Sequence, residues 1–243
     1  MTQNIYDDEQ FFAGYSRLSR SVSGLAGAPE WPALRAMLPP LRGARVLDLG
    51  CGFGWFCRWA GEQGAASVLG IDVSEKMLAR ARAETADGAI VYRRADLDQV
   101  DLPEHAFDLV YSSLAFHYLK HLDALMAQVH RALVPGGRLV CSVEHPIYTA
   151  PTRPAWILDA EGRKHWPIDS YQAEGPRTTN WLAPGVIKQH RTMTTYLNLL
   201  IRLDFTLRRV EEWGPTAEQI AAQPGLAEER ERPMFVLIAA DRC

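Results

Sequence analysis

The chain lacks most of what would tie it to a cell exterior, a membrane or a nucleic acid. Only four of its 243 residues are cysteine (Cys51, Cys57, Cys141 and Cys243), with no CxxC pair and no His/Cys cluster. That spacing argues against a disulfide framework and a structural metal, and it suits a reducing cytoplasm. No apolar run approaches the ~20 residues of a membrane helix. The opening stretch, MTQNIYDDEQ, is too polar and acidic for a secretory signal. A basic excess is also missing. Twenty-six Lys and Arg stand against 29 Asp and Glu, a net charge of −3, so nucleic acid is not an expected partner. What remains is 47% hydrophobic and 23% charged, without repeats or low-complexity tracts, enough for one large α/β domain.

Strand-like and helix-like segments alternate from residue 45 onward. RVLDL, SVLGID, AIVYRR, FDLVYSS and RLVCSV read as five strands. WFCRWAGEQG, SEKMLARARAET (capped by Ser74) and LDALMAQVHRAL read as the helices between them. This order predicts a doubly wound parallel sheet with helices on both faces. Earlier, Leu34, Met37, Leu38 and Leu41 in PEWPALRAMLPPL have helical spacing and predict one further helix. The pattern breaks after Val143. Residues 145–189 carry prolines, five Tyr or Trp and no clear period, which predicts an ordered functional lid inserted after strand five. RTMTTYLNLLIRL then reads as a helix, and FTLRRVEEW and MFVLIAADR as edge strands around a helical TAEQIAAQ. The expected organisation is a single domain. It has a helical cap over 1–43, a core over 44–143, an insertion over 144–190 and a C-terminal helix with edge strands over 191–243.

In an open parallel sheet, ligands bind at the carboxyl ends of the strands. DLGCGFG, Asp48 to Gly54, occupies that place after the first strand. Its glycines, Gly50, Gly52 and Gly54, follow GxGxG and not the GxGxxG of a dinucleotide site. An acid at the mouth of the loop repels a pyrophosphate, which prefers bare helix amides. It suits a cationic nucleoside, and S-adenosylmethionine carries a sulfonium and an ammonium and no phosphate. Asp72 ends the second strand, where a carboxylate can accept both ribose hydroxyls. Asp96 follows the third strand, where it can accept from an adenine amino group. Cys51 reads as a small loop residue, since nothing lowers its thiol pKa.

VLDLGCGFG, VLGIDVSEKMLARAR, RADL, FDLVYSSLAFHYL and VPGGRLVCSV, in this order over Val46–Val143, resemble the successive motifs of class I S-adenosylmethionine-dependent methyltransferases. The similarity is to the small-molecule group that includes the ubiquinone/menaquinone-biosynthesis enzymes. The resemblance implies a Rossmann-like seven-stranded sheet of order 3-2-1-4-5-7-6 with the last strand antiparallel. It implies that Asp48, Gly50, Cys51, Gly52 and Gly54 line the methionine end. Asp72, Val73 and Met77 would meet ribose and adenine, with Asp96 and Leu97 at adenine. Ser112, Leu114 and His117 would border the sulfonium. LDF at Leu203–Phe205 departs from the family's frequent xGF, a local loop change.

Methyl transfer asks for alignment, exclusion of water and sometimes a base. His117, His145 and His190 stand at the carboxyl edge or where the insertion rejoins the core, and they are the candidate bases. Tyr148, Trp156, Trp166, Tyr171 and Trp181 of the insertion either wall the acceptor pocket or form a small core of their own. Tyr15 and Arg17 would close the cleft from the other side. Over residues 145–200, six Lys/Arg against four Asp/Glu would tolerate a carboxylate-bearing acceptor. The expected protein is a metal-independent enzyme, monomer or homodimer, acting on the oxygen, nitrogen or carbon of a small molecule. A nicotinamide-dependent oxidoreductase would need the third glycine in dinucleotide register. A macromolecular amine methyltransferase would need an NPPY-type loop where SSLAFHY stands.

Overall fold

The computed structural model describes residues 3–243. Its core is a seven-stranded sheet built from β1 (Arg45–Leu49), β2 (Ser67–Asp72), β3 (Ile90–Arg94), β4 (Phe107–Ser113), β5 (Leu133–Glu144), β10 (Phe205–Glu212) and β11 (Phe235–Arg242). The spatial order is β3-β2-β1-β4-β5-β11-β10. The first five run parallel, and β11 lies antiparallel between β5 and β10. This is the order and direction expected from the sequence. β6 (Ile157–Leu158) pairs with β7 (Lys164–His165), and β8 (Gly175–Trp181) with β9 (Ala183–His190), as two separate antiparallel hairpins.

The central strands are continuous apolar runs because both faces of the sheet are covered. Val46, Leu47 and Leu49 are fully buried. One layer packs Leu47, Leu49 and Val110 against α6 (Leu122–Ala132) and α8 (Met193–Arg202). The other packs Val46, Leu109 and Leu237 against α4 (Trp55–Glu62) and α3 (Trp31–Arg35). On the same flank, α5 (Glu75–Ala83) starts where expected, with Ser74 Oγ accepting from the Met77 N–H. α4, α6 and α8 each present one apolar stripe and one polar face.

Two expectations are corrected. The helix over PEWPALRAMLPPL stops at Arg35. Pro39 disfavours the helical region for Leu38, so the chain leaves in turns while Leu34, Met37 and Leu41 still reach the core. The insertion is also less irregular than its sequence suggests. It contains α7 (Pro146–Thr149) and the two hairpins. GPRTTNW, the β8 strand, alternates exposed and half-buried positions with few apolar residues, so its period of two leaves no hydrophobic trace.

The N-terminal segment straps the carboxyl edge. Asp7 accepts from Ser74 Oγ at 2.5 Å and from the Lys76 N–H at 3.2 Å, which ties it to the start of α5. α1 (Glu9–Tyr15) buries Phe11 against Ala183 and Val186 of the insertion. Gln3 bonds the backbone of Gly185 and Ile187.

Candidate functional site

A cavity of about 380 Å³ lies at the carboxyl edge of the sheet. Five consecutive strands each deliver a residue to it: Gly50 after β1, Asp72 on β2, Asp96 after β3, Ser113 on β4 and Glu144 on β5. The N-terminal strap adds Tyr6, Tyr15 and Arg20, and the insertion adds Tyr148 and Trp181.

The glycine loop has its conformation for two separable reasons. Gly50 has φ +80°, and a Cβ there would stand 2.4 Å from the Ala115 Cβ. Gly52 has φ +52° and lines the cavity, yet a Cβ there would meet nothing within 4 Å. The first glycine answers to packing, and the second leaves room over the loop. The Gly52 N–H donates to Asp72 Oδ2 at 2.9 Å, while the Ser74 N–H donates to Oδ1 at 2.9 Å. Burial pushes the Asp72 carboxyl up, against the pull of these amides. Leu114, just past β4, has φ +55°. A left-handed leucine is strained, and here two bonds hold it: its N–H reaches the Ser142 carbonyl at 3.0 Å and Ser142 Oγ at 3.2 Å.

Of the residues expected at the cofactor, Gly50, Gly52, Asp72, Val73, Met77, Asp96, Leu97, Leu114 and His117 line this cavity. Asp48, Cys51, Gly54 and Ser112 do not. Asp48 is the main correction, because it does not stand at the mouth of the loop. It is 2% exposed behind it, where Cys57 Sγ of α4 lies 3.3 Å from Oδ2. Burial pushes its carboxyl up to about 7. Asp48 faces a smaller void of about 90 Å³ that shares Tyr15, Arg20, Gly50, Gly52 and Ser113 with the main cavity. Cys51 faces the same void, and burial pushes its thiol up to about 11, as befits an unreactive side chain. Gly54 forms the left-handed N-cap of α4. Ser112 is turned inward, with Oγ donating to the Leu49 carbonyl at 2.7 Å, and its neighbour Ser113 takes the cavity position. Strand alternation makes a one-residue error a change of face.

The three histidines separate. His117 is buried in the cavity wall, and desolvation lowers it to about 4, so it is neutral near pH 7. His145 lies outside the cavity lining. Its Nδ1 caps α7 by accepting from the Ile147 N–H, and its Nε2 meets Glu212 at 2.8 Å. His190 is fully buried outside the lining as well, between Thr149 Oγ1 and the Tyr171 carbonyl. Both rings have both nitrogens engaged.

The insertion's aromatics split in the same way. Tyr148 and Trp181 line the cavity, whereas Trp156 and Trp166 do not. With Tyr148 they surround the Arg232 guanidinium, whose carbon lies 4.8, 5.0 and 4.5 Å from the Tyr148, Trp156 and Trp166 ring centres. Tyr171 packs on His190. Tyr15 lines the cavity, and Arg17 is exposed away from it.

Sequence reasoning missed Tyr6, Arg20, Tyr118 and Glu144. Glu144 had a signal: it ends β5 at the carboxyl edge, next to the histidine that drew attention. Arg20 is held by Glu30 through Nη2, at 3.0 and 3.2 Å from its two oxygens, and among the described residues is the only Lys or Arg in the lining. One tethered cation beside Asp72 and Asp96 gives a poor phosphate site. The open space over Gly52 fits a nucleoside that carries positive charge.

The Methyltransferase domain family matches residues 47–141. The solved structure of an S-adenosylmethionine dependent methyltransferase from Mesorhizobium loti is 62% identical, covers 90% of this chain and 100% of its own, and superposes with a TM-score of 0.87. An uncharacterized protein of Haemophilus influenzae is 34% identical over 217 residues, 86% of this chain and 85% of its own. A malonyl-[acyl-carrier protein] O-methyltransferase of Enterobacter lignolyticus is 39% identical over 124 residues, 51% of this chain and 48% of its own.

Proposed function

Because the chain belongs to the S-adenosylmethionine-dependent methyltransferases, we propose that its cavity binds the cofactor along the glycine loop and a small-molecule acceptor against the aromatic end. The observation that carries this reading is the continuity of the cavity. Gly50, Gly52, Asp72 and Asp96 line the same space as Tyr118, Tyr148, Trp181 and Glu144, and Tyr6 lies near both Asp72 and Tyr118.

When bound, the cofactor supplies a methyl group on a sulfonium, already activated for displacement. In this reading Asp72 accepts from the ribose hydroxyls with the lone pairs its two backbone partners leave. Asp96 accepts at the adenine edge, and Val73, Met77 and Leu97 give the base apolar contact. The main chain at Gly50 and Gly52, with Leu114 and His117, bounds the methionine end. Asp48 contributes negative potential from behind the loop, since a cation nearby favours its charged form. Among the three histidines His117 alone borders the cavity, and its role is positional, because a buried imidazole this acidic is a weak base at neutral pH. The aromatic walls exclude water and hold the acceptor in line. No helix among the described residues is long and apolar enough to cross a membrane, and a small polar-apolar metabolite is the acceptor we favour.

The test is incubation with methyl-labelled cofactor and a fractionated cell extract. Label is expected in the small-molecule fraction. Label confined to protein or RNA would contradict the acceptor reading.

A further inference from the structure

Glu144 sits in the most specific polar arrangement at the acceptor end. It is the last residue of β5 and lines the cavity. Lys188, from β9 of the insertion, is 4% exposed and donates to Oε1 at 2.5 Å. His117 Nε2 lies 3.9 Å from the same oxygen. The Glu144 N–H donates to His117 Nδ1 at 3.3 Å, which leaves the ring hydrogen on Nε2, on the side of Oε1. Lys188 thus bonds Oε1, and the His117 Nε2 hydrogen lies on the same side, beyond hydrogen-bond distance. Oε2 is buried and has no hydrogen-bond partner among the described residues. A buried acceptor left in this way is costly and rare, and it calls for an explanation.

The charges around it narrow the explanation. Lys188 is neutralised by Glu144 and packed 5.1 Å from the Trp181 ring centre and 5.8 Å from that of Tyr148, outside the cavity lining. Of the other basic side chains of the insertion, Arg153 is exposed outside the cavity lining and the remaining three are occupied. Arg163 pairs with Asp159 and Glu161, Lys164 with Glu228, and Arg177 bonds the carbonyls of Ala150, Ser170 and Ala173. The mild positive balance read from the sequence therefore does not reach the cavity, and a carboxylate-bearing acceptor is not what these walls favour. An anion at this end would face Glu144, with no Lys or Arg but the tethered Arg20 in the lining among the described residues.

We propose that the Glu144 carboxylate, through the part of it that lines the cavity, is the recognition point for the methyl acceptor, and that the acceptor presents an N–H or O–H donor on an apolar body, neutral or cationic, and not a carboxylate. This rests on the reading that the acceptor occupies the aromatic end. Tyr6, Tyr118, Tyr148 and Trp181 supply the apolar walls, and their ring faces attract a cation. Lys188 is a positioning residue that acts through Glu144.

The experiment uses the full chain saturated with S-adenosylhomocysteine and three probes of one size: 2-phenylethylamine, 2-phenylethanol and 3-phenylpropionate. Binding is read by ligand-observed NMR at pH 7.5. The amine and the alcohol are expected to bind at least tenfold more tightly than the carboxylate. In Glu144→Gln the amine's advantage should fall below threefold, with S-adenosylhomocysteine affinity kept within twofold. Equal binding of the three probes, binding of none, or a preference for the carboxylate overturns the proposal, as does an unchanged preference in the variant. Failure of the wild-type chain to bind S-adenosylhomocysteine is a separate result, and it overturns the cofactor reading itself.

Discussion

The Gly52 amide donates to Asp72 Oδ2 at 2.9 Å, so the end of the second strand holds the glycine loop that follows the first. The same carboxylate accepts the Ser74 N–H, which orients the start of α5. One side chain thereby sets the spacing between the loop and the neighbouring strand end. Its remaining lone pairs are the natural contact for a diol.

The two loop glycines should respond differently to the same added methyl. Gly52→Ala meets only the strain of a left-handed alanine, about 1 kcal/mol, in a chain that still folds. Its methyl occupies the space the nucleoside needs, so S-adenosylhomocysteine affinity should fall at least tenfold. Gly50→Ala adds a collision with Ala115 and should cost several times more stability. Urea unfolding and titration calorimetry on both variants check this. A Gly52→Ala protein with unchanged affinity would remove that part of the site.

His117 and Asp48 should tilt stability in opposite directions with pH. The unfolded chain protonates His117 near 6.5, whereas the fold holds it at about 4, so this residue costs stability as pH falls through that window. Asp48 is raised from 3.8 to about 7, so the fold binds its proton more tightly and loses stability as pH rises between those values. Relative to wild type, His117→Gln should gain most at pH 4.5, and Asp48→Asn should gain most at pH 7.5. Chemical unfolding at four pH values gives the slopes. Identical slopes in the two variants would contradict these environments.

Arg232 should be a structural centre of the insertion. It is 9% exposed, bonds Glu229 at 2.7 Å and lies against three rings. Arg232→Ala leaves a buried carboxylate unpaired and should cost about 3 kcal/mol. Fluorescence of Trp156 and Trp166 should show the loosening before global unfolding. An unaltered unfolding midpoint would show that the cage contributes nothing.

The fold was largely legible because its parallel strands are bounded by turn signals and β1, β2 and β4 lead into periodic helices. β1 to β5 and β11 needed no tertiary information. The acids at strand ends were legible for the same reason, since Asp72 and Asp96 follow strands whose carboxyl ends the topology gathers. Depth was not legible: Asp48 falls behind the loop and Ser112 turns inward, because the turn geometry decides the face and sequence spacing does not. The acceptor end was the least legible part. His145 and His190 invite a catalytic reading by their chemistry, yet the fold uses them as a cap and a buried bridge. Glu144 gains its significance only from Lys188, 44 residues away in sequence.

The most direct measurement is calorimetric titration of S-adenosylhomocysteine into the wild-type protein and Asp72→Ala. Saturable one-to-one binding is expected of the wild type and a loss of at least tenfold in the variant, since a hydrogen bond to a charged group is worth ~1.5–3 kcal/mol. Equal affinities, or no binding by the wild type, would contradict it.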